Sequence, residues 1–137
     1  MEPTKQFLPG IRPRAHSVNL LEYSDGRLLA TWFTGTHEGF EDQVAAASML
    51  DSATGKWSEP FVTLRLFQYE EDYWLPEQTC PIETEDGATV VYTWAAPLSE
   101  FRLSERQPGA VTGDAGVNSA SSSITHSTVW GRGPGFR

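Results

Sequence analysis

Between Arg14 and Pro60 the chain alternates polar and apolar residues in short runs divided by turn signals, a spacing that fits a four-stranded antiparallel sheet and little else. His16 to Tyr23 is the first expected strand, and Ser24-Asp25-Gly26 supplies the residues that tolerate a tight hairpin. Arg27 to Phe33 is the second, apolar on both sides as a strand covered on both faces must be. A polar loop from Thr34 to Asp42 contains Gly35 and Gly39, and Gln43 to Leu50 returns as the third strand. Its Ala45-Ala46-Ala47 trio favours helix by intrinsic propensity, but its place in the hairpin series predicts extended structure. Asp51 to Lys56 turns the chain, and Trp57 to Thr63 forms an edge strand, where Pro60 is tolerated because an edge residue need not donate to a ladder. Such a sheet cannot bury both faces alone, so further sheets are expected against it, and a chain of 137 residues holding one or two of them is expected to be part of something larger.

A second, shorter copy follows. Anchored on its Asp-Gly pairs, Leu20 to Phe33 lies over Pro81 to Trp94, with Leu21 over Ile82, Leu29 over Val90 and Phe33 over Trp94. Between the copies, Phe67 to Gln78 mixes aromatic and acidic residues and reads as a loop leading into the next first strand. The third and fourth strands of the second copy are not recognisable. From Ser104 onward Gly, Ser, Ala and Thr dominate, and a segment that buries so little cannot offset its ordering entropy, so 104–137 is expected to be a disordered tail. The expected organisation is thus an N-terminal extension (1–11), a sheet-forming region (12–103) and that tail.

Charge and composition exclude several roles. The net charge is −8, and because the segment after Leu103 holds three arginines against two carboxylates, residues 1–103 carry −9. Nucleic acid, which needs a basic stripe, is a poor partner for such a surface. One cysteine, Cys80, rules out an internal disulfide framework. His16, His37 and His126 have no metal-ligand spacing, and Glu70-Glu71-Asp72 reads as a solvated acidic face. No apolar run approaches the ~20 residues of a membrane span, and Met1 to Arg14 lacks the apolar centre of a signal peptide, which leaves the compartment open.

Three clusters together resemble the first blade of the sialidase-like BNR/Asp-box β-propellers: Arg14-x-His16-Ser17; Asp25-Gly26-Arg27-Leu28-Leu29-Ala30-x-Trp32-Phe33-x-Gly35-x-x-Glu38-Gly39; and Gly55-x-Trp57-Ser58-Glu59-Pro60. The likeness covers residues 12 to 63 well and 79 to 94 weakly. Ser48, Asp51, Gly55 and Trp57 supply the residue types of an Asp-box at altered spacing. The resemblance implies an all-β chain: one full blade and part of a second from a six-bladed propeller, whose complete form removes terminal sialic acid from glycoconjugates without a cofactor or metal. The implied partner is a carbohydrate, and the missing blades are expected from the rest of a longer chain.

Sialic acid carries a carboxylate that planar guanidinium groups grip bidentately, and in sialidases three arginines do so. Arg14 matches the first of them, although His16 stands where the family prefers proline and suggests a different sugar; His16 and Glu38 join Arg14 as substrate-binding candidates. Asp42 matches the acid/base aspartate of the loop after the second strand, with Glu41 and Glu38 as neighbours able to raise its pKa or to act themselves. The family nucleophile is a tyrosine activated by a glutamate, and Tyr69, Tyr73 and Tyr92 match no such motif; Tyr92 reads as a core residue. Trp32, Trp57, Trp74 and Trp94 read as packing between sheets. Two alternatives stay open: a noncatalytic Asp-box propeller that binds glycans or a protein, and an inactive truncated product.

Overall fold

A computed structural model describes residues 5–100 and the backbone of one further strand at 124–130. Among the described residues, nine strands in two antiparallel sheets account for nearly all the regular structure. The first sheet contains β1 (Arg14–Glu22), β2 (Leu28–Gly35), β3 (Val44–Asp51), β4 (Lys56–Trp57) and β5 (Phe61–Leu64), in the order β1-β2-β3-β4 with β5 also on β3. The second contains β6 (Phe67–Tyr69), β7 (Asp72–Glu83), β8 (Thr89–Pro97) and β9 (Ile124–Trp130), in chain order. Among the described residues no helix is long and apolar enough to cross a membrane.

The two Asp-Gly turns form the same hairpin. Tyr23 N–H donates to Arg27 C=O at 2.9 Å and Gly26 N–H to Tyr23 C=O at 2.9 Å; Thr84 and Ala88, and Gly87 and Thr84, repeat this at 2.9 and 2.8 Å. Gly26 and Gly87 sit at φ 85° and 78°, in the left-handed region where a side chain is penalised. Leu21 faces Leu29 in one hairpin and Ile82 faces Val90 in the other, so the offset read from the sequence is the register of the strands.

Strand β2 is buried almost throughout, and its two faces pack differently. Leu29, with Tyr23 and Ala47, forms one apolar cluster, joined by Leu21, Met49 and Phe61. Ala30, Trp32 and Ala46 form another on the opposite face, covered by Leu8, Ile11 and Trp57. The N-terminal segment is therefore part of the core. The alanine trio is strand, fully buried, because only small side chains fit between these layers and burial outweighs helix propensity. The expected edge strand is split in two: Ser58 N–H still donates to Met49 C=O at 2.7 Å, and pairing resumes beyond Pro60, which has no N–H to give.

The second sheet departs from expectation in three places. The first part of Phe67 to Gln78 is not a loop but strand β6, which forms a hairpin with β7 reversed at Glu70, whose φ is 54°, while the entry into the next strand falls at Asp72. Ile124–Trp130, placed in the expected disordered tail, pairs with β8 as β9, since the open edge of β8 offers a ladder to a run rich in Ile, Thr, Val and Trp; the rest of 104–137 lies outside the described residues, as does the His126 side chain. Tyr92 and Trp94 are exposed rather than buried, because they alternate with Val91, Thr93 and Ala95, which take the inner face.

Strand β7 joins the sheets. Thr79 Oγ1 donates to Thr31 Oγ1 at 2.8 Å, Asn19 Nδ2 donates to Thr79 C=O at 2.6 Å, and the Tyr23 and Thr89 hydroxyls are 2.6 Å apart. Ser24 N–H donates to the Glu83 carboxylate at 3.0 Å, which holds the two hairpins side by side.

Candidate functional site

The start of β1, the end of β2, the β2–β3 loop and the middle of β7 meet at one end of the molecule. Thr34 Oγ1 donates to Arg14 C=O at 2.6 Å and fixes the first turn of β1 beside the loop. Gly35 faces Arg14 in the ladder, and a Cβ there would lie 3.0 Å from His37 O and 3.3 Å from Gln43 Cα, so any larger residue would press the loop backbone outward. Within the loop Gly39 has φ 82°, and Gln43 N–H donates to Phe40 C=O at 2.9 Å.

Gln43 ties this loop to the second sheet. Its side chain is buried, its Oε1 accepts from Gly39 N–H at 2.9 Å, and its Nε2 donates to Pro76 C=O at 2.6 Å. Both ends of one amide are thereby spent on positioning the neighbours of two carboxylates, Glu38 and Glu77. Glu77 and Gln78 lie in a bulge, where the β7–β8 register shifts between Pro76 and Thr79, and bulges re-aim side chains out of the alternating pattern. Burial, followed by the negative charges of Glu38 and Glu100, raises the Glu77 pKa above the ordinary glutamate value.

Asp42 is tuned in the opposite direction. Partial burial works against its ionisation, but the Thr36 hydroxyl at 2.7 Å, the Thr36 N–H at 3.1 Å and the Arg12 guanidinium at 3.6 Å outweigh it and lower the pKa. The end of the molecule thus combines a carboxylate held as an anion with a carboxyl that keeps its proton to higher pH. Such a split between two acidic groups is how acid and base roles are divided in many hydrolytic sites.

The other residues singled out from sequence are placed as follows. Arg14 is exposed, and among the described residues no side chain pairs with it. His16 is exposed and stacks on Phe33, ring centroids 5.3 Å apart and planes within 13°. Glu38 is exposed. Glu41 lines a cleft of about 470 Å³ with Leu66, Asp72, Tyr73, Leu98 and Ser99. No group of three His, Cys, Asp or Glu side chains among the described residues is arranged to hold a metal ion.

Arg12, Gln43 and Glu77 were not selected from sequence. One signal for Glu77 was present: the offset that sets Leu21 over Ile82 also sets His16 over Glu77, so the two halves place a polar side chain at matching positions. Comparison with protein-family models, with curated proteins and with solved structures finds no match to this chain.

Proposed function

We propose that the two sheets are successive blades of a sialidase-like propeller and that the Arg14 end is its glycan site, directed at terminal sialic acid or a related acidic sugar in the complete form. In this reading Arg14 receives the sugar carboxylate, Asp42 supplies fixed negative charge near the anomeric carbon, and Glu77 is the proton donor, with Glu38 keeping its pKa high. The observation that carries the reading is the Gln43 bridge, which sets the β2–β3 loop against the β7 bulge and so brings oppositely tuned carboxyl groups to the end that bears a free arginine. Tyr73, half exposed in the Glu41 cleft, offers an aromatic face to a pyranose. An oxocarbenium-like transition state flattens the sugar ring, so a catalytic site prefers a planar analogue to the ground-state sugar.

The test is a pair of titrations followed by amide NMR shifts in residues 36–43, one with a methyl α-sialoside and one with a planar 2,3-unsaturated sialic acid. Saturable shifts from both, at least tenfold tighter for the planar compound and lost in Arg14→Ala, are expected. Equal affinity for the two selects the second reading, a noncatalytic glycan-binding propeller, which the fully bonded Asp42 favours. Absence of shifts at millimolar sugar overturns both.

A further inference from the structure

Strand β1 changes phase part-way along. Counted back from Asn19 in an unbroken ladder, Ser17 and Ala15 would share its face, and Arg14 and His16 would lie on the other. The ladder is broken: His16 pairs with Phe33 and Asn19 with Thr31, so Ser17 and Val18 stand together opposite Trp32. This bulge moves Arg14 and His16, the partners of Gly35 and Phe33, onto the face that Asn19 and Thr31 turn toward β7. The stack of His16 on Phe33 is the result. Forming the bulge puts Ser17 at φ 53°, in the left-handed region where a Cβ is penalised.

One side chain holds the backbone there. Asn19 Nδ2 donates to Ser17 C=O at 3.2 Å, inside the bulge, and to Thr79 C=O at 2.6 Å across the sheet interface. Thr79 is the first paired residue after the β7 bulge that carries Glu77, as Asn19 is the first after the bulge in β1. A single amide thus anchors the two bulges side by side, with Arg14 and His16 beyond one and Glu77 within the other. We infer that Asn19 is a positioning residue for the Arg14 end: its two hydrogen bonds hold the β1 bulge and so decide which face presents Arg14 and His16. The geometric role stands without a glycan, whereas its effect on sugar binding rests on the function proposed above.

Two NMR signals test it: the Ser17 Cα and Cβ shifts, which report left-handed backbone, and nuclear Overhauser contacts between the His16 and Phe33 rings. Asn19→Ala, at a half-buried position, is expected to keep its β-sheet circular dichroism and to lose both signals, with at least a tenfold fall in affinity for methyl α-sialoside. Thr31→Val removes the neighbouring bond to Thr79 but leaves Ser17 C=O its donor, so both signals are expected to persist. Adding Ser17→Gly to Asn19→Ala is expected to restore the ring contacts, since glycine enters the left-handed region without strain. Ser17→Gly alone is expected to keep those contacts and to raise the midpoint of urea unfolding. The inference is overturned if Asn19→Ala keeps both signals, if Thr31→Val loses them to the same extent, if the double variant fails to regain the ring contacts, or if Ser17→Gly lowers the midpoint. A wild type that binds no sialoside refutes the glycan reading alone, because the ring contacts are read without sugar.

Discussion

Replacing Gln43 by methionine keeps the volume of the side chain and removes both of its hydrogen bonds. Pro76 C=O, fully buried, and Gly39 N–H, partly buried, are then left without partners. A buried polar group stripped of its partner costs about 1–3 kcal/mol, with the carbonyl toward the upper end of that range and the half-wet N–H toward the lower. The apolar methionine recovers roughly 1 kcal/mol by its own burial, leaving a net loss of about 3 kcal/mol. For a unit of this size that shifts Tm by roughly 10 °C. Gln43→Glu separates hydrogen bonding from packing: its carboxyl can donate to Pro76 C=O only when protonated, so the native state binds that proton better than the unfolded chain does. Its stability should approach wild type in acid and fall away as pH rises through the elevated native pKa of the introduced group. Urea unfolding followed by tryptophan fluorescence, repeated across pH, measures both. A Gln43→Met loss below about 0.5 kcal/mol, or a Gln43→Glu curve parallel to wild type, would refute the bridging role.

Glu77 gives a pH dependence of the same sign in the native protein. Its pKa is raised, so it binds its proton more tightly folded than unfolded, and the stability this contributes is lost as pH rises through the folded value. Glu77→Gln should therefore be more stable than wild type at neutral pH, with the gap closing on acidification, and Glu38→Gln should lower the Glu77 pKa in a carboxyl-carbon NMR titration. At Gly35 an added methyl would press on the backbone of His37 and Gln43, neither able to swing aside. Gly35→Ala is expected to cost about 1–3 kcal/mol and to shift the amide resonances of residues 36–43, which chemical denaturation and a heteronuclear spectrum would check.

The hairpins were legible because their signals are local: Asp25-Gly26 and Asp86-Gly87 specify the turn, and alternation on either side specifies the register. The alanine trio was legible only through its neighbours, since a run of alanines in isolation favours helix. β6 and β9 were missed for different reasons. Phe67 to Gln78 carries a proline and an acidic run that depress strand propensity, and β9 is seven residues set in a segment dominated by Gly, Ser and Ala, whose composition hides a short strand that the β8 edge recruits. Alternation in Val90 to Trp94 was plain, but it cannot say which face is inner, and Tyr92 and Trp94 fell on the outer one. At the site, Arg14 and the acidic loop were visible as a motif. Gln43, Arg12 and Glu77 acquire their roles from contacts between strands distant in sequence, which no local pattern records.

The contact between the sheets is polar at its centre, and this bears on how accurately the site is placed. An all-apolar contact would allow β7 to slide over β1 and β2 at little cost, because apolar contacts are non-directional. Here Asn19, Thr31 and Tyr23 each reach a specific partner on β7 or β8, and burial raises the Tyr23 pKa. Moving β7 by one residue would strand the buried Thr31 and Tyr23 hydroxyls in the interior, at about 1–3 kcal/mol each, a large fraction of the stability of many small domains. The position of Glu77 relative to Glu38 therefore depends on hydroxyl and amide contacts further along the same strand as well as on Gln43. Thr31→Val is the cleanest probe of this coupling, since it keeps the shape at the centre of the interface and removes the Thr79 bond. If the polar contacts hold the register, that single change at a distance should broaden or shift the Glu77 titration. If packing alone sets the register, the titration should stay where it is while only stability falls.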